Sequence, residues 1–321
     1  MTEPQAYAVM NKNLEQRLHS SSGGVFVLLA EYVISRGGVV FGAKFDSAFR
    51  VIHDYTETLH GISEFQGSKY VQSRMGNAYV KAKEFLEAGR EVFFTGTPCQ
   101  IAGLKAYLGK DYANLLTADV ICHGSPSPLV WKKYVEYREN TANATTLRML
   151  FRHKKYGWKA FAVLFEYSNN TAYEQMMRKD PYMYGFLKNI YLRPSCYNCK
   201  FKGEKRFGDI TLGDFWGIQN VLPEMDDDKG TSLVLINTLQ GKQVFESIKE
   251  LIMYKEVLVE VMGKYNSAAV KSVEKSPRRE AFFEDLAEMG IGELFDKYCV
   301  DNWKEKVKKI IKKCLRKIVI F

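Results

Sequence analysis

The chain has 321 residues, of which 46% are apolar and 26% are charged. This length is enough for two domains with their own cores, and the apolar content excludes a disordered protein. The formal net charge is +9, but residues 303–321 hold eight Lys/Arg residues and one Glu and contribute +7 of it. The remaining body carries only +2, so we expect no broad nucleic-acid-binding surface.

The first thirty residues lack the charged segment, apolar run and cleavage site of a secretion signal. No stretch of sequence approaches eighteen uninterrupted apolar residues. We therefore predict a cytoplasmic protein that neither crosses a membrane nor is secreted. Its six cysteines favour metal or redox use over disulfides, because cytosolic thiols are kept reduced.

Helices and strands are predicted to alternate in the first half of the chain. The predicted elements are a helix at 25–35, strands at 39–45 and 51–55, a helix at 77–88, a strand at 91–95, a helix at 101–108 and a strand at 114–121. Ser20, Ser21 and Ser22 precede the first helix, and one of their hydroxyls is expected to cap it. The alternation predicts an α/β (mixed α+β) fold, with a mixed sheet flanked by helices.

The second half is predicted to contain an irregular segment. The predicted elements are a helix ending near residue 139, strands at 147–152, 160–167, 209–212 and 232–237, and a helix at 240–251. Residues 182–205 are expected to be irregular, and a basic loop at 153–158 to join two strands. We predict two domains, 1–97 and 98–270, followed by a helical basic tail at 271–321.

Cys196 and Cys199 are separated by two residues, a spacing that lets two thiolates bind one metal centre. Residues 200–212 contain no Cys or His, so further ligands would come from distant parts of the sequence. Cys99 follows a predicted strand in a Gly-Thr-Pro-Cys turn, and Cys122 ends another strand, where α/β sheets present ligands. Four thiolates without an acidic ligand suit a 4Fe-4S cluster, with structural zinc and unrelated thiols as alternatives.

The basic tail has the pattern of an amphipathic helix. Its apolar face consists of Trp303, Val307, Ile310, Ile311, Cys314 and Ile318, and Lys/Arg residues cover the rest. Such a helix binds an anionic membrane surface, here the inner membrane face, or packs on the body or on a partner subunit. Cys299 and Cys314 are interpreted as ordinary surface or core thiols.

Seven blocks of sequence occur in an order that is typical of one family. They are Ser20–Gly24, Gly67–Ser73, Phe94–Gly103, Ile121–Pro128, Phe151–Trp158, Cys196–Phe201 and Asp209–Gly217. In these blocks the chain resembles the coenzyme F(420) hydrogenase/dehydrogenase β subunits over roughly residues 5–270, so the two predicted domains correspond to that family's N-terminal and C-terminal domains. No further cysteine run precedes the first block, so we expect the ferredoxin-like module of many relatives to be absent.

The resemblance implies an electron-transfer subunit that carries FAD and one 4Fe-4S cluster. The implied cluster ligands are Cys99, Cys122, Cys196 and Cys199. Electrons would pass between a reduced iron-sulfur donor, such as a ferredoxin-like protein or a partner subunit, and a flavin or deazaflavin acceptor. Bacterial relatives often accompany enzymes of cell-surface polysaccharide synthesis, so a link to that pathway is a further expectation.

No Gly-x-Gly-x-x-Gly motif follows a predicted strand, so a dinucleotide would bind through other contacts. The best phosphate site is the helix start after Ser22, where glycines would let a diphosphate approach free N–H groups; simple helix capping is the alternative. The expected cofactor contacts are Ser21, Ser22, Gly23, Gly24, Lys69, Tyr70, Ser73, Gly96, Thr97, Pro98, Gly124, Lys154 and Lys155.

Three further groups have candidate roles. Arg152, Lys154 and Lys155 beside Trp158 form a basic and aromatic loop, suited to a phosphate-bearing substrate or a stacked ring, with a solvated hairpin as the alternative. His123 adjoins a predicted ligand and is the candidate for proton transfer, with a structural hydrogen bond as the alternative. Asp209 and Asp214 are expected to accept hydrogen bonds from backbone N–H groups around the cluster loop.

The leading prediction is therefore an iron-sulfur flavoprotein oxidoreductase. One rival is a zinc-stabilised accessory protein of polysaccharide assembly without a redox role. Another is an electron-transfer scaffold without flavin.

Overall fold

The computed structural model describes residues 4–301, and the structural statements below concern this part of the chain. Its strands are β1 (Gln5–Asn11), β2 (Val39–Phe45), β3 (Val51–Thr56), β4 (Val92–Gly96), β5 (Leu115–Val120), β6 (Thr146–His153), β7 (Ala162–Tyr167), β8 (Ala172–Met176), β9 (Ile210–Asp214), β10 (Ser232–Ile236) and β11 (Ile252–Val257). Its α-helices are α1 (Leu14–His19), α2 (Val25–Ser35), α3 (Ile62–Phe65), α4 (Ala78–Glu87), α5 (Pro98–Leu108), α6 (Pro128–Ala142), α7 (Pro181–Leu187), α8 (Leu239–Ser247), α9 (Glu260–Tyr265), α10 (Ser267–Val270), α11 (Arg279–Asp285) and α12 (Ile291–Tyr298). Short 3-10 helices occur at Lys154–Tyr156, Pro194–Asn198, Ile218–Asn220, Pro223–Met225 and Lys249–Leu251.

Eight strands form one mixed sheet in the order β11-β1-β10-β9-β5-β4-β2-β3. The central strands β2, β4, β5 and β9 are parallel neighbours, whereas the strands on either side pair antiparallel. A second, antiparallel sheet contains β6, β7 and β8. The predicted α/β fold with a mixed sheet and flanking helices is confirmed. The expected domain boundary after residue 97 falls between β4 and α5, and strands from both sides of it share the large sheet.

Alternate residues of β4 show how helices cover both faces of the large sheet. Phe93 packs with α2 and α8 on one face, whereas Val92 and Phe94 pack with α4 and α5 on the other. This follows from the strand period of two, which points successive side chains to opposite faces. Burying each phenylalanine stabilises the fold by about 1.5–3 kcal/mol.

A second hydrophobic core lies between the small sheet and helices α6, α7, α11 and α12. Aromatic rings dominate it: Trp131 lies 5.1 Å from Tyr182, and Tyr182 stacks on Tyr134 at 5.3 Å between ring centroids. Offset and edge-to-face contacts of this kind add to the burial of the rings themselves. This core holds β6 and α7 beside the large sheet.

Helix α5 begins at Pro98, three residues earlier than the prediction. Thr97 and Gln100 form a capping box, and Pro98 occupies the first helical turn, where its missing N–H costs no hydrogen bond. Cys99 therefore lies in the first turn of a helix rather than in the turn before it.

The prediction that residues 182–205 are irregular is wrong in part. This stretch contains most of α7 and the 3-10 helix Pro194–Asn198. Asp180 caps α7 by accepting a hydrogen bond from the Met183 N–H at 2.8 Å, and Pro181 occupies the first position. Strands β1 and β11 are two elements that the sequence patterns do not predict.

None of the described helices is both long and apolar enough to span a membrane. The predicted tail domain contributes α11 and α12 to the second core. The apolar face predicted within residues 303–321 lies outside the described residues, as does Cys314. Cys299, in contrast, is buried beside α12.

Candidate functional site

A cavity of about 550 Å³ opens at the edge of the large sheet where three parallel strands end. Thr95 and Gly96 at the end of β4, Ile121 after β5, and Asp214 at the end of β9 line it. The carboxyl ends of parallel strands are where open α/β sheets bind ligands, because the chain diverges there into loops and helix starts. The topology therefore creates this cavity from segments that are distant in sequence.

The cavity collects many of the predicted site residues. Those that line it are Ser21, Ser22, Gly24, Lys69, Tyr70, Ser73, Gly96, Thr97, Cys122, His123 and Gly124. Those that do not line it are Gly23, Pro98, Lys154, Lys155, Cys99, Cys196 and Cys199.

The serine hydroxyls do not cap α2, contrary to the prediction. Ser20 donates to the Gln16 carbonyl, and Ser21 shares a 2.8 Å hydrogen bond with Ser68. Ser22 donates to the carbonyl of Thr231, the residue before β10. The cap residue is Gly24, which has φ +83° and makes no side-chain cap. The positive end of α2 therefore reaches the cavity wall without a hydroxyl bound to its first N–H groups.

Gly23 is required by packing, and Gly24 by its left-handed backbone conformation, φ +83°. A Cβ at Gly23 would lie 2.3 Å from the Val9 carbonyl oxygen, and a Cβ at Gly24 would lie 3.1 Å from Cβ of Asn11. Both directions point toward β1 and its neighbours. The expectation that a β-carbon here would itself hold off a phosphate is therefore wrong. Gly23 instead donates its N–H to Ser232 Oγ at 2.9 Å.

Lys69 and Tyr70 form one side of the cavity. Lys69 Nζ donates to the carbonyls of Glu64 and Gln66, each at 2.8 Å, and burial lowers the pKa of this amine to about 7. Tyr70 stacks on Phe186 with ring centroids 5.0 Å apart. Desolvation raises the pKa of the Tyr70 hydroxyl, so this phenol stays protonated and can donate a hydrogen bond.

The basic and aromatic loop after β6 is not simply solvated, because its tryptophan and one of its lysines are engaged inside the protein. Trp158 is 1% exposed, stacks on Trp216 at 5.0 Å and donates to Asp214 Oδ1 at 3.0 Å. Lys154 Nζ donates to three backbone carbonyls, at 2.8 to 3.0 Å. Lys155 is exposed and pairs with Glu174.

Arg152 is the cation of this stretch that lines the cavity. Its side chain is 3% exposed, and its Nη1 donates to Asp214 Oδ2 at 2.5 Å. Asp214 thus binds Arg152 and Trp158 rather than backbone N–H groups of the cluster loop. Asp209 accepts from the Thr117 N–H at 2.8 Å, which belongs to β5 rather than to the cluster loop.

The fold brings the four predicted ligand cysteines into one region. Burial raises the pKa of the Cys122 thiol to about 12, and the charges of Cys196, Cys99 and Cys199 raise it further while Lys202 lowers it. These thiols therefore lie within electrostatic range of one another, although Cys99 and Cys199 are separated by a hundred residues of sequence.

Local contacts hold each cysteine segment in place. Cys99 Sγ lies 3.1 Å from Thr97 Oγ1, Cys196 Sγ accepts from the Ser125 N–H at 3.4 Å, and the Cys199 N–H donates to Ser272 Oγ at 2.9 Å. Lys202 donates to the Cys122 carbonyl. Backbone and side-chain hydrogen bonds of this kind fix the direction of thiol ligands.

Gly124 lets the Cys122 segment approach the Cys196 segment. A Cβ at Gly124 would lie 2.8 Å from Leu192 Cδ1 and 3.5 Å from Cβ of Cys196. In the described residues, no group of three or more His, Cys, Asp or Glu side chains is close enough to hold a single metal ion. The four thiols are thus neighbours, but their sulfur atoms do not converge on one point.

A family model that describes the C terminus of the coenzyme F(420) hydrogenase/dehydrogenase β subunit matches residues 89–258. The chain belongs to this family. The match includes all four of the cysteines discussed above and the strands that end at the cavity. Membership in a hydrogenase/dehydrogenase family supports an oxidoreductase function in general.

A solved structure has a similar fold. It is the xenon-derivatized F(420)-reducing NiFe hydrogenase complex from Methanosarcina barkeri, and one of its chains is 15% identical to this one, with a TM-score of 0.55. The similarity covers 87% of this chain and 91% of that chain. At this identity the likeness establishes the fold alone. No curated protein matches the chain.

In this family member, a buried histidine beside the cavity was not among the predicted site residues. His53 Nδ1 lies 2.9 Å from Ser73 Oγ, and Nε2 lies 2.8 Å from the Thr95 carbonyl oxygen. A carbonyl only accepts, so Nε2 carries the proton and Ser73 donates to Nδ1. Burial lowers the pKa of His53 to about 4. Gln100 Nε2 donates to Ser73 at 2.7 Å and joins this network to the start of α5.

Asp119 is a second residue that the sequence analysis does not single out. It is fully buried in β5 and accepts hydrogen bonds from Arg206 Nη2 at 2.7 Å, from the Phe207 N–H at 3.0 Å and from the Gly208 N–H at 2.9 Å. The sequence signal that could have identified Asp119 is an acidic residue inside an otherwise apolar strand. A carboxylate buried in this way needs hydrogen-bond or ion-pair partners from other segments.

His123 lines the cavity next to Cys122. Its Nε2 lies 2.7 Å from Asn189 Oδ1, and its ring contacts Phe186 edge to face at 5.1 Å between centroids. Burial lowers the pKa of His123, so the imidazole is neutral at pH 7. The amide oxygen accepts, so the proton lies on Nε2 and Nδ1 retains a lone pair.

Proposed function

We propose that this chain is an iron-sulfur flavoprotein oxidoreductase, in which Cys99, Cys122, Cys196 and Cys199 hold one 4Fe-4S cluster and the 550 Å³ cavity holds FAD. The observation that carries the proposal is the position of Cys122. This residue lines the cavity, and its thiol lies within electrostatic range of the other three cysteines. A cluster bound by the four thiols and a flavin ring in the cavity would therefore both contact the segment that contains Cys122.

The donor set fits an iron-sulfur cluster. It consists of thiols, the usual ligands of such clusters, and the two carboxylates expected near the cluster loop, Asp209 and Asp214, are engaged with Thr117 and with Arg152 and Trp158. A cluster places its ligands farther apart than a single ion does, because each cysteine binds a different iron. Thiols that are neighbours without converging on one point agree with this arrangement.

The cavity fits a flavin nucleotide in size and character. Its volume lies within the 300–1,000 Å³ that is usual for ligand pockets, and the start of α2 provides a place for phosphate. FAD, when bound, would exchange electrons singly with the cluster and in pairs with a flavin or deazaflavin acceptor. Tyr70 and Phe186 offer stacked aromatic surface beside it.

Two residues of the chain have further roles in this proposal. Cys99 is exposed, so a cluster bound there would reach the protein surface, where a partner subunit or a ferredoxin-like donor could approach. His123 would accept a proton at Nδ1 from a reduced ring in the cavity, since Nε2 is committed to Asn189. The similar solved chain comes from a hydrogenase complex, which supports a partner subunit.

The acceptor in this proposal is a flavin or a deazaflavin such as coenzyme F(420), and the pathway is cell-surface polysaccharide synthesis. The basic tail supports a position at the cytoplasmic face of the inner membrane, because each Lys or Arg near an anionic leaflet contributes about 1 kcal/mol to membrane binding. Sedimentation with anionic liposomes at low and high salt, with a chain ending at Asp301 as control, tests the membrane contact.

Anaerobic purification followed by iron, sulfide and flavin analysis tests the central proposal. We expect about four iron atoms, about four sulfides and about one FAD per chain, with the absorbance bands of flavin over a broad brown absorbance. Zinc without colour would overturn the proposal in favour of the non-redox accessory protein. Brown protein without flavin bands would favour the alternative of an electron-transfer scaffold without flavin.

A further inference from the structure

Arg152 has buried hydrogen-bond donors without acceptors. Its Nη1 is bound to Asp214, but neither Nε nor Nη2 has a hydrogen-bond partner. Tyr70 approaches the guanidinium closely enough for a side-chain hydrogen bond to influence it, but this contact does not give Nε or Nη2 a partner of good hydrogen-bond geometry. Leaving a buried charged donor unpaired costs more than an average hydrogen bond contributes, so an acceptor is expected to complete this site.

Aromatic rings hold the guanidinium in place. Its carbon lies 4.4 Å from the ring centroid of Phe161 and 5.6 Å from that of Trp216, and both rings also line the cavity. An arginine fixed between rings and a carboxylate loses little further entropy when it binds an anion, and its planar fork suits the oxygens of phosphate.

A short series of contacts links Arg152 to the start of α2. Asp214, the partner of Arg152, lies opposite Ser232 in the pairing of β9 with β10. Ser232 Oγ accepts a hydrogen bond from the Gly23 N–H at 2.9 Å, and Gly23 adjoins Gly24, the cap residue of α2. The guanidinium and the positive helix end thus lie on neighbouring segments of the cavity wall.

We propose that Arg152 and the start of α2 together bind the phosphate group of the ligand in the cavity. This inference rests on the proposed function for the identity of that ligand, a flavin nucleotide. It assigns the phosphate to Arg152 rather than to Lys154, whose ammonium already donates to three carbonyls. The ion pair with Asp214 keeps the arginine in position and leaves two of its donor atoms for the phosphate oxygens.

Three flavins that differ in phosphate content provide the test: FAD, FMN and riboflavin. The variants are Arg152→Lys, which keeps a charge beside Asp214 but loses the planar fork, and Arg152→Met, which removes both. The control is Lys155→Met, which removes an exposed cation of the same loop. Dissociation constants are measured by fluorescence titration of the flavin-depleted protein, and folding is checked by circular dichroism.

We expect Arg152→Lys to weaken FAD and FMN binding about tenfold or more, and Arg152→Met to weaken it further, as loss of a charge-assisted hydrogen bond predicts. Riboflavin binding should change less than about twofold, and the control should bind all three ligands like the unmodified chain. Folded Arg152→Lys protein that binds FAD normally would overturn the inference. An equal loss for riboflavin would overturn it too, since the arginine would then act on the ring or on the fold.

Inorganic pyrophosphate separates this inference from the proposed function. It should raise the melting temperature of the unmodified chain and have a smaller effect on folded Arg152→Lys protein, in which the lysine keeps a cation beside Asp214. If pyrophosphate has both of these effects but the unmodified chain binds no flavin, the phosphate site is supported and the flavoprotein proposal fails. If neither pyrophosphate nor any flavin affects the unmodified chain, both fail.

Discussion

Arg206 donates from Nη2 to Asp119 Oδ1 at 2.7 Å, and both side chains are almost completely shielded from solvent, at 1% and 0% exposure. Asp119 lies in β5, three residues before Cys122, and Arg206 follows the loop that contains Cys196 and Cys199. The ion pair thus ties the two cysteine-bearing segments to each other. Because Asp119 also accepts two backbone N–H groups after Arg206, it fixes the path of the chain that leaves the loop.

We expect Asp119→Asn to lower the free energy of unfolding by about 3–5 kcal/mol, because it leaves the Arg206 charge buried without a counter-ion. Urea denaturation measures the change. Asp111→Asn, at an exposed position before the same strand, is the matched control and should change stability by less than about 0.5 kcal/mol. Equal stabilities of the two variants would contradict the structural role of the pair.

Replacement of any one of Cys99, Cys122, Cys196 or Cys199 by Ser should abolish or convert the 4Fe-4S cluster, because the four thiolates act as one ligand set. Iron and sulfide contents after anaerobic purification measure the effect. Cys299→Ser is the control: this thiol is buried beside α12, and its pKa is raised by burial. Full iron and sulfide in the Cys99→Ser protein would show that the ligand assignment is wrong.

The buried His53 predicts a pH dependence of stability. Burial lowers its pKa in the folded chain to about 4, from an ordinary value of 6.5, so between these values the unfolded chain binds the additional proton. The free energy of unfolding therefore falls as the pH drops from 6.5 to 4, by up to about 3 kcal/mol from this residue. His53→Gln, which does not titrate, should show a shallower decline over this range.

Urea denaturation at several pH values tests this prediction. His60→Gln is the control, because His60 is exposed and its replacement should leave the decline unchanged. The same slope in the His53→Gln protein and the unmodified chain would mean that His53 titrates normally in the folded state.

Lys154 is expected to stabilise the fold rather than to bind a ligand directly. Its ammonium joins the carbonyls of Arg17, Ser22 and Lys229, so Lys154→Met should lower the free energy of unfolding by about 2 kcal/mol or more through loss of these hydrogen bonds. Chemical denaturation should show a much smaller change for Lys155→Met, whose ion pair is exposed. Similar stability of both variants would argue against a tethering role.

Local sequence patterns were sufficient for the central elements of this fold. Helix α2 and strands β2 and β5 were predicted within one residue of their observed bounds, because their apolar periodicity and flanking glycines act over a few residues. The capping signals of α5 and α7 were also local, in Thr97, Gln100 and Asp180. Apolar periodicity alone starts α5 three residues late and does not predict α7.

The roles of charged residues depended on tertiary structure. The sequence places Arg152 and Trp158 in or beside an exposed loop, yet both are buried through contacts with Asp214, which lies more than fifty residues away. A charged side chain can be buried only if a partner from another segment pairs with it. That partner is too distant in sequence for a local pattern to include it.

The sequence by itself determined the α/β class, the pair Cys196 and Cys199, and the positions of Cys99 and Cys122 shortly after strands β4 and β5. The seven ordered blocks also determined the resemblance that the family model bears out. Only the tertiary structure decided that the four thiols are neighbours, that Cys122 lines the cavity, and that Arg152 has donors without acceptors. The physical reason is that local patterns encode backbone preference over a few residues, whereas proximity, burial and unsatisfied hydrogen bonds arise when strands such as β5 and β9, ninety residues apart, pair in one sheet.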